Sequence, residues 1–441
     1  MRYSQLTQRI AGDGAAAWTI HYRALERQAR GEDIILLSVG DPDFDTPQPI
    51  VQAAIDSLLS GNTHYADVRG KPALREAIAR RHQRRSGQVV SADQVTVLAG
   101  AQCALFSVAQ CVLNPGDEVI VAEPMYVTYE AVFGACGAVV VPVPVRSENG
   151  FRVLPEDVAA RITPRTRALA LNSPHNPSGA MFTAADMQAL QDILRGTDIL
   201  LLSDEVYEHI VFDGARHESA LRYPELRERA FVVSSFGKTY HCTGWKLGYC
   251  IAPAALSAEF RKVHQYNTFC TFNPAQHAFA EMIGQEPEHH EGLGAFYQAK
   301  RDRFREQLLG TRLKPLPVPG GYFQLVDYSA VSDLDDAAFC RWLTGKPLRP
   351  RLVSLMGPAP EDLAPYDEVF QCPLKFNAEH YALLFERADL DAPLPSANEA
   401  LAQLHEVTEQ APVAESDAAA AAGGEPGPRI LPRTDVLRFR W

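Results

Sequence analysis

The sequence predicts an α/β fold with a mostly parallel sheet flanked by helices, on three observations. Short runs rich in Val, Ile and Leu recur between about residue 50 and residue 290, segments of helical period separate them, and polar residues of a chemically useful kind follow the runs. A strand buried on both faces reads as a near-continuous apolar run, which is what a parallel sheet covered by helices on both sides requires.

The runs, in chain order, are QVTVLAG, DEVIVAEP, AVVVPVPV, RALALNSP, ILLLSDE, AFVVSSFG and LGYCIAP. In such sheets ligands sit outside the carboxyl ends of the strands, so the residues just after each run carry the interest. They read Gly100-Ala101-Gln102, Glu123-Pro124-Met125-Tyr126, Asn172-Ser173-Pro174-His175-Asn176-Pro177, Asp204-Glu205-Val206-Tyr207 and Ser234-Ser235-Phe236-Gly237-Lys238.

The whole chain bounds the chemistry. Its 441 residues suffice for two or three domains, and 46% hydrophobic with 22% charged residues is an ordinary balance for a soluble protein with a sizeable core. A formal net charge of -12 argues against a nucleic-acid partner, because phosphate backbones are bound by clustered Lys and Arg. Eight cysteines without a C-x-x-C pair or companion histidines at zinc spacing look like reduced intracellular thiols. A cytoplasmic location and no metal are therefore expected. The opening MRYSQLTQRIAGDGAAAW lacks the apolar stretch of a signal peptide, and no segment approaches the roughly 18 apolar residues of a membrane span, so no membrane partner is expected.

Lys238, Asp204, Tyr207, Asn176 and the Gly100-Ala101-Gln102 loop, brought to successive strand ends, are the parts needed to run chemistry through pyridoxal 5′-phosphate. The carboxylate of Asp204 directly follows an apolar run, where a buried charge without a partner is costly, though a helix N-cap is another role for it. Residues 100–102 open a helix after a strand, so the N–H groups and positive end of that helix suit a phosphate. A phosphate-binding P-loop around Gly237-Lys238-Thr239 is disfavoured because that motif needs a glycine where Val232 stands.

The segments SVGDPDFDTP, HYADVRGKPALREAIA, NSPHNPSG, SDEVY and SSFGKTYHCTGWKLGY resemble the motifs of class I aminotransferases of fold type I, over roughly residues 1–342. Within that family, residues up to about 180 are most similar to arginine:pyruvate transaminases, and residues from about 200 to 342 to methionine or aromatic aminotransferases. The resemblance implies an enzyme that moves an amino group from an L-amino acid to a 2-oxo acid, with pyridoxal 5′-phosphate bonded to Lys238. Lys238 is then also the base that moves the substrate's α-proton. Asp204 pairs with the ring nitrogen, while Tyr207 and Asn176 meet the phenolic oxygen. Ser235 and Lys246 join Gly100, Ala101 and Gln102 around the phosphate, Tyr126 stacks on the ring, and Tyr65 reaches the phosphate site of a neighbouring subunit, which makes the unit a homodimer. Gly40 and Asn176 lie by the substrate, Gly40 through its backbone. Each tyrosine also reads as core packing, and Gly40-Asp41-Pro42 also reads as an ordinary turn.

The resemblance divides the chain into an arm with a small-domain segment (1–45), a large cofactor-binding domain (46–290) and a partial small α+β domain (291–345). The family's second carboxylate ligand, an arginine in a strand some tens of residues beyond Gly320-Gly321-Tyr322-Phe323, does not follow; Arg349 and Arg351 are the nearest substitutes. Residues 346–408 instead resemble part of the ligand-binding region of AraC-type regulators, without any helix-turn-helix pattern. The remainder, 409–441, is too poor in apolar side chains to offset the entropy of ordering it, and is expected to be a disordered tail. The alternatives left open are a cofactor-binding protein with little turnover, a lyase or decarboxylase on the same cofactor, and a ligand-sensing module.

Overall fold

A computed structural model describes residues 3–10, 13–31, 39–42, 44–285 and 289–333, and the backbone of 352–354, 374–375, 382–384 and 439–440. The chain divides into two compact units, Met1–Gly310 with Lys314–Asp327 and Arg438–Trp441, and Thr311–Leu313 with Tyr328–Leu437. The expected tail lies outside the described residues apart from 439–440, as do Arg349 and Arg351. The second unit contains a three-stranded sheet formed by Leu352–Ser354, Leu374–Lys375 and Ala382–Leu384.

All seven apolar runs form strands of one sheet in the first unit: β1 (Val95–Leu98), β2 (Glu118–Glu123), β3 (Val139–Pro144), β4 (Thr166–Asn172), β5 (Leu200–Asp204), β6 (Ala230–Ser235) and β7 (Gly248–Ile251). Their spatial order is β1-β7-β6-β5-β4-β2-β3. β2 through β6 pair in parallel, whereas β7 runs antiparallel to both β1 and β6.

Both faces of the sheet are buried, with a different core on each. On β6, Ala230 and Val232 belong to one core while Phe231 and Val233 belong to the other; on β4, Leu169 and Leu171 oppose Ala168 and Ala170. This is the period-2 alternation of a strand expressed as two apolar faces. Helices Gln48–Leu59, Pro72–Ser86, Ala184–Leu194 and Asn273–Met282 bury residues in the first core; Gly100–Val112, Thr128–Ala135 and Ala254–Asn267 do so in the second. Each fully buried aliphatic side chain contributes roughly 1.5–3 kcal/mol, so the sheet and the helices on it form a well-stabilised core of the first unit.

Register brings the strand ends to one edge. Asn172 is paired with Asp204, Asp204 with Val233, Ser235 with Gly248, and Gly248 with Leu98. Because β7 is antiparallel, its first residue rather than its last lies at that edge, beside the helix that opens at Gly100. No helix among the described residues is long and apolar enough to cross a membrane.

Candidate active site

Lys238 sits on a single helical turn, Phe236–Thr239, directly after β6. Ser235 starts the turn, its hydroxyl accepting from the Gly237 N–H at 3.1 Å, as an N-cap serine does. The partly buried Lys238 Nζ donates to the Gly40 carbonyl oxygen at 2.6 Å, and the Tyr322 hydroxyl donates to the same oxygen at 2.8 Å. Tyr207, 5% exposed, meets the Tyr322 ring edge to face with centroids 5.2 Å apart. Gly40, Lys238, Tyr207 and Tyr322 thus form one cluster. A Cβ at Gly40 would lie 2.9 Å from Phe323 Cζ, so this backbone approaches the 322–323 pair as closely as a glycine allows.

Asp204 ends β5 and is 4% exposed. Its Oδ2 accepts from the Tyr129 hydroxyl at 2.7 Å and its Oδ1 from the Val206 N–H at 3.3 Å. Burial pushes the carboxyl up to about 6, against the opposing pull of the Tyr129 hydrogen bond, the Val206 amide and the Lys238 charge. Its partners are a hydroxyl and an amide rather than a full ion pair, so a cation brought against it gains strongly. Asn172 braces the segment: its Nδ2 donates to the Asp204 carbonyl at 3.1 Å, and its Oδ1 accepts from the Asn176 N–H at 2.7 Å. Among the described residues, the Asn176 side-chain Oδ1 and the Ser173 Oγ are buried without a hydrogen-bond partner.

Helix Gly100–Val112 presents its first turn, with Ala101 and Gln102, to the same edge. The N–H groups of a first helical turn have no intrahelical partners. Lys246 Nζ lies 3.5 Å from where a Cβ of Gly100 would be, bringing an ammonium beside them. A helix terminus, a lysine and the Ser235 hydroxyl make a donor set that fits a phosphate group. Gly248 makes this seat possible: a Cβ there would lie 2.9 Å from each of the Ala101 N, Gly100 C and Ser234 O atoms, all backbone.

Tyr126 is partly buried and meets Tyr129 edge to face at 5.6 Å, between the β2 end and Asp204. Tyr65 stands apart. It is 85% exposed and touches Phe269 with ring centroids 5.2 Å apart, which excludes core packing in this chain. Three residues without a role in the sequence reading, Tyr129, Asn172 and Tyr322, take part in the site.

Behind it lies a buried polar network. Glu208 accepts from Arg85 at 2.5 Å, Ser234 Oγ at 2.8 Å and Tyr249 OH at 3.2 Å; Glu205 bonds Ser203 Oγ at 2.8 Å, the Ala220 N–H at 3.0 Å and His217 at 2.9 Å. Glu205, Glu208 and His217 bring ligand-type atoms within 4.8 Å of one another. These oxygens are already engaged, so the group reads as a structural support for the 204–208 segment.

The family model described as aminotransferase class I and II matches residues 32–346, and that of the arabinose-binding domain of AraC transcription regulators matches residues 337–394. The chain is 59% identical over 328 residues to the arginine–pyruvate transaminase AruH of Pseudomonas aeruginosa, covering 74% of this chain and 83% of that protein. It is 46% identical over 327 residues to the methionine aminotransferase of Escherichia coli, covering 74% and 84%. A solved Escherichia coli protein for which a methionine aminotransferase function was identified superposes with a TM-score of 0.68 at 46% identity, over 76% of this chain and 86% of that one. Aspartate aminotransferase from Thermus thermophilus with maleate superposes at 0.72 and 34% identity, over 78% and 89%.

Proposed function

The chain belongs to the class I and II aminotransferases, and on that premise we propose that it transfers an amino group from an L-amino acid of arginine, methionine or aromatic type to a 2-oxo acid, using pyridoxal 5′-phosphate held by Lys238. The observation that carries the reading is the convergence at one sheet edge of the Lys238 ammonium, the buried Asp204 carboxylate and the Gly100 helix terminus with Lys246. When bound, the cofactor supplies an electron sink for the carbanion formed at the substrate's α-carbon.

The chain's residues divide the remaining work. Lys238 Nζ would hold the cofactor through its aldehyde carbon, water leaving, and, once freed by the substrate's amine, would carry the proton to and from the α-carbon. Asp204 would hold a proton on the ring nitrogen by charge pairing. The Tyr207 hydroxyl and Asn176 amide would donate to the phenolic oxygen, and Tyr126 would cover the ring. Gly100, Ala101, Gln102, Ser235 and Lys246 would hold the phosphate, while the Gly40 backbone would border the substrate carboxylate. Tyr65, 85% exposed beside Phe269, which is itself 40% exposed, supports a homodimer in which Tyr65 completes the neighbouring phosphate site. The reading also includes a large domain of about 46–290 and a cytoplasmic location, which the six free cysteine thiols among the described residues support.

Separate incubations of L-arginine, L-methionine and L-phenylalanine with pyruvate and pyridoxal 5′-phosphate test this, with the newly formed amino acid as readout. Alanine formation from at least one donor is expected; ammonia or carbon dioxide without alanine overturns transamination in favour of elimination or decarboxylation. A second reading, cofactor binding with feeble turnover, is favoured by one observation: the aminotransferase match stops at residue 346, where the regulator-like match has already begun. Stoichiometric conversion of the cofactor without sustained alanine formation distinguishes it.

A further inference from the structure

We infer that Tyr129 is a positioning residue for Asp204: its hydroxyl fixes the orientation of the carboxylate and keeps it anionic for a cationic ring nitrogen. The inference rests on the reading of Asp204 as the partner of that nitrogen. Tyr129 is 2% exposed and donates to Asp204 Oδ2 at 2.7 Å from 75 residues away in sequence, on the helix Thr128–Ala135 that follows β2. The contact joins the two strand-end segments on which Tyr126 and Asp204 stand.

The ring cannot swing away. It stacks on Phe133 with centroids 5.9 Å apart and planes 21° apart, and takes Tyr126 edge-on at 5.6 Å. Packing of this kind selects one side-chain conformation, and the hydroxyl follows it. One carboxylate oxygen is thereby committed to Tyr129, and Oδ1, which has only the longer amide contact at 3.3 Å, is the oxygen left for a ligand. Burial and the neighbouring Asp204 charge raise the Tyr129 hydroxyl well above the usual phenol range, so it remains a donor throughout the working pH range. Among the described residues, Tyr126, Glu205 and Lys238 also act on Asp204; Glu205 opposes its charge and Lys238 favours it.

A hydrogen bond to a charged acceptor is worth enough to change ligand affinity about tenfold when removed. Tyr129→Phe retains the ring and deletes only the hydroxyl. Pyridoxal 5′-phosphate is titrated into wild type, Tyr129→Phe, Asp204→Asn and the double variant, and urea unfolding of the unliganded proteins is followed against pH. The inference expects about tenfold weaker binding in Tyr129→Phe, no further loss from that change in the Asp204→Asn background, and ionisation of Asp204 displaced to higher pH in unliganded Tyr129→Phe. Equal losses in both backgrounds, or an unmoved ionisation, overturn it. If Asp204→Asn leaves cofactor affinity intact, the role of Asp204 fails instead, while the pH series still reports on the Tyr129 contact. Should Tyr129→Phe not fold, Tyr129→Leu carries the same two readouts.

Discussion

The Lys238 ammonium and the Gly40 carbonyl, 198 residues apart in sequence, meet at 2.6 Å, and Tyr322 shares that oxygen at 2.8 Å. The carbonyl therefore ties the segment after the N-terminal arm to the lysine turn and to the 320–323 segment at once. Tyr322→Phe keeps the buried ring but removes one of the two donors. A loss of about 1 kcal/mol in urea unfolding is expected, the net worth of one hydrogen bond, together with faster amide exchange at Gly40 and Asp41.

Asp204 gives a pH signature to the unliganded protein. Its carboxyl is lifted from 3.8 to about 6 by burial. Between those values the folded protein retains a proton that the unfolded chain has released, so this group's contribution to stability falls as pH rises through the window. Asp204→Asn removes that dependence. The variant should gain about 3 kcal/mol relative to wild type between pH 4 and pH 7, the equivalent of about two pKa units, while binding pyridoxal 5′-phosphate far more weakly. Paired urea titrations across pH measure the first effect and cofactor titration the second.

Much of this site was legible because burial and chemistry alternate along the chain. The apolar runs identify strands, and Asp204, Asn176, Ser235 and Lys238 stand at or just beyond their ends. Tyr129 was not legible: its partner is 75 residues distant, and a tyrosine on an amphipathic helix reads as packing. Asn172 is the last residue of an apolar run and acts through backbone groups of Asp204 and Asn176, which no local pattern announces. The reversed direction of β7 has a physical cause visible only in retrospect. Between Ser235 and Gly248 the chain must also form the lysine turn, leaving too little for the crossover helix that a parallel return requires.

Gly248→Ala tests how tightly the phosphate seat is built. The new Cβ would meet three backbone atoms at 2.9 Å, none of which can move without shifting β6 or the start of the Gly100 helix. Overpacking of this kind costs about 1–3 kcal/mol. Lower unfolding midpoints and weaker binding of the cofactor are expected together, whereas Gly244→Ala, in open space, should change neither.

Arg85 and Glu208 form a partly buried ion pair behind Tyr207, with side chains 31% and 2% exposed. Burial pushes the Glu208 carboxyl up, but the Arg85 guanidinium beside it prevails and holds it well below the usual range. Arg85→Met leaves that charge without its main partner and should destabilise the protein by about 3 kcal/mol at neutral pH. A depressed carboxyl contributes stability above its unfolded pKa and loses it as pH falls, so the deficit of the variant should shrink in acid. Thermal unfolding of both proteins at pH 7 and pH 4 measures the difference.

Absorption spectroscopy of the purified protein titrated with pyridoxal 5′-phosphate, then with L-arginine or L-methionine, tests the role of Lys238 most directly. A visible band that Lys238→Ala abolishes, and that an amino acid bleaches in the wild type, is the result expected. The absence of a band, or the same band in Lys238→Ala, would contradict it.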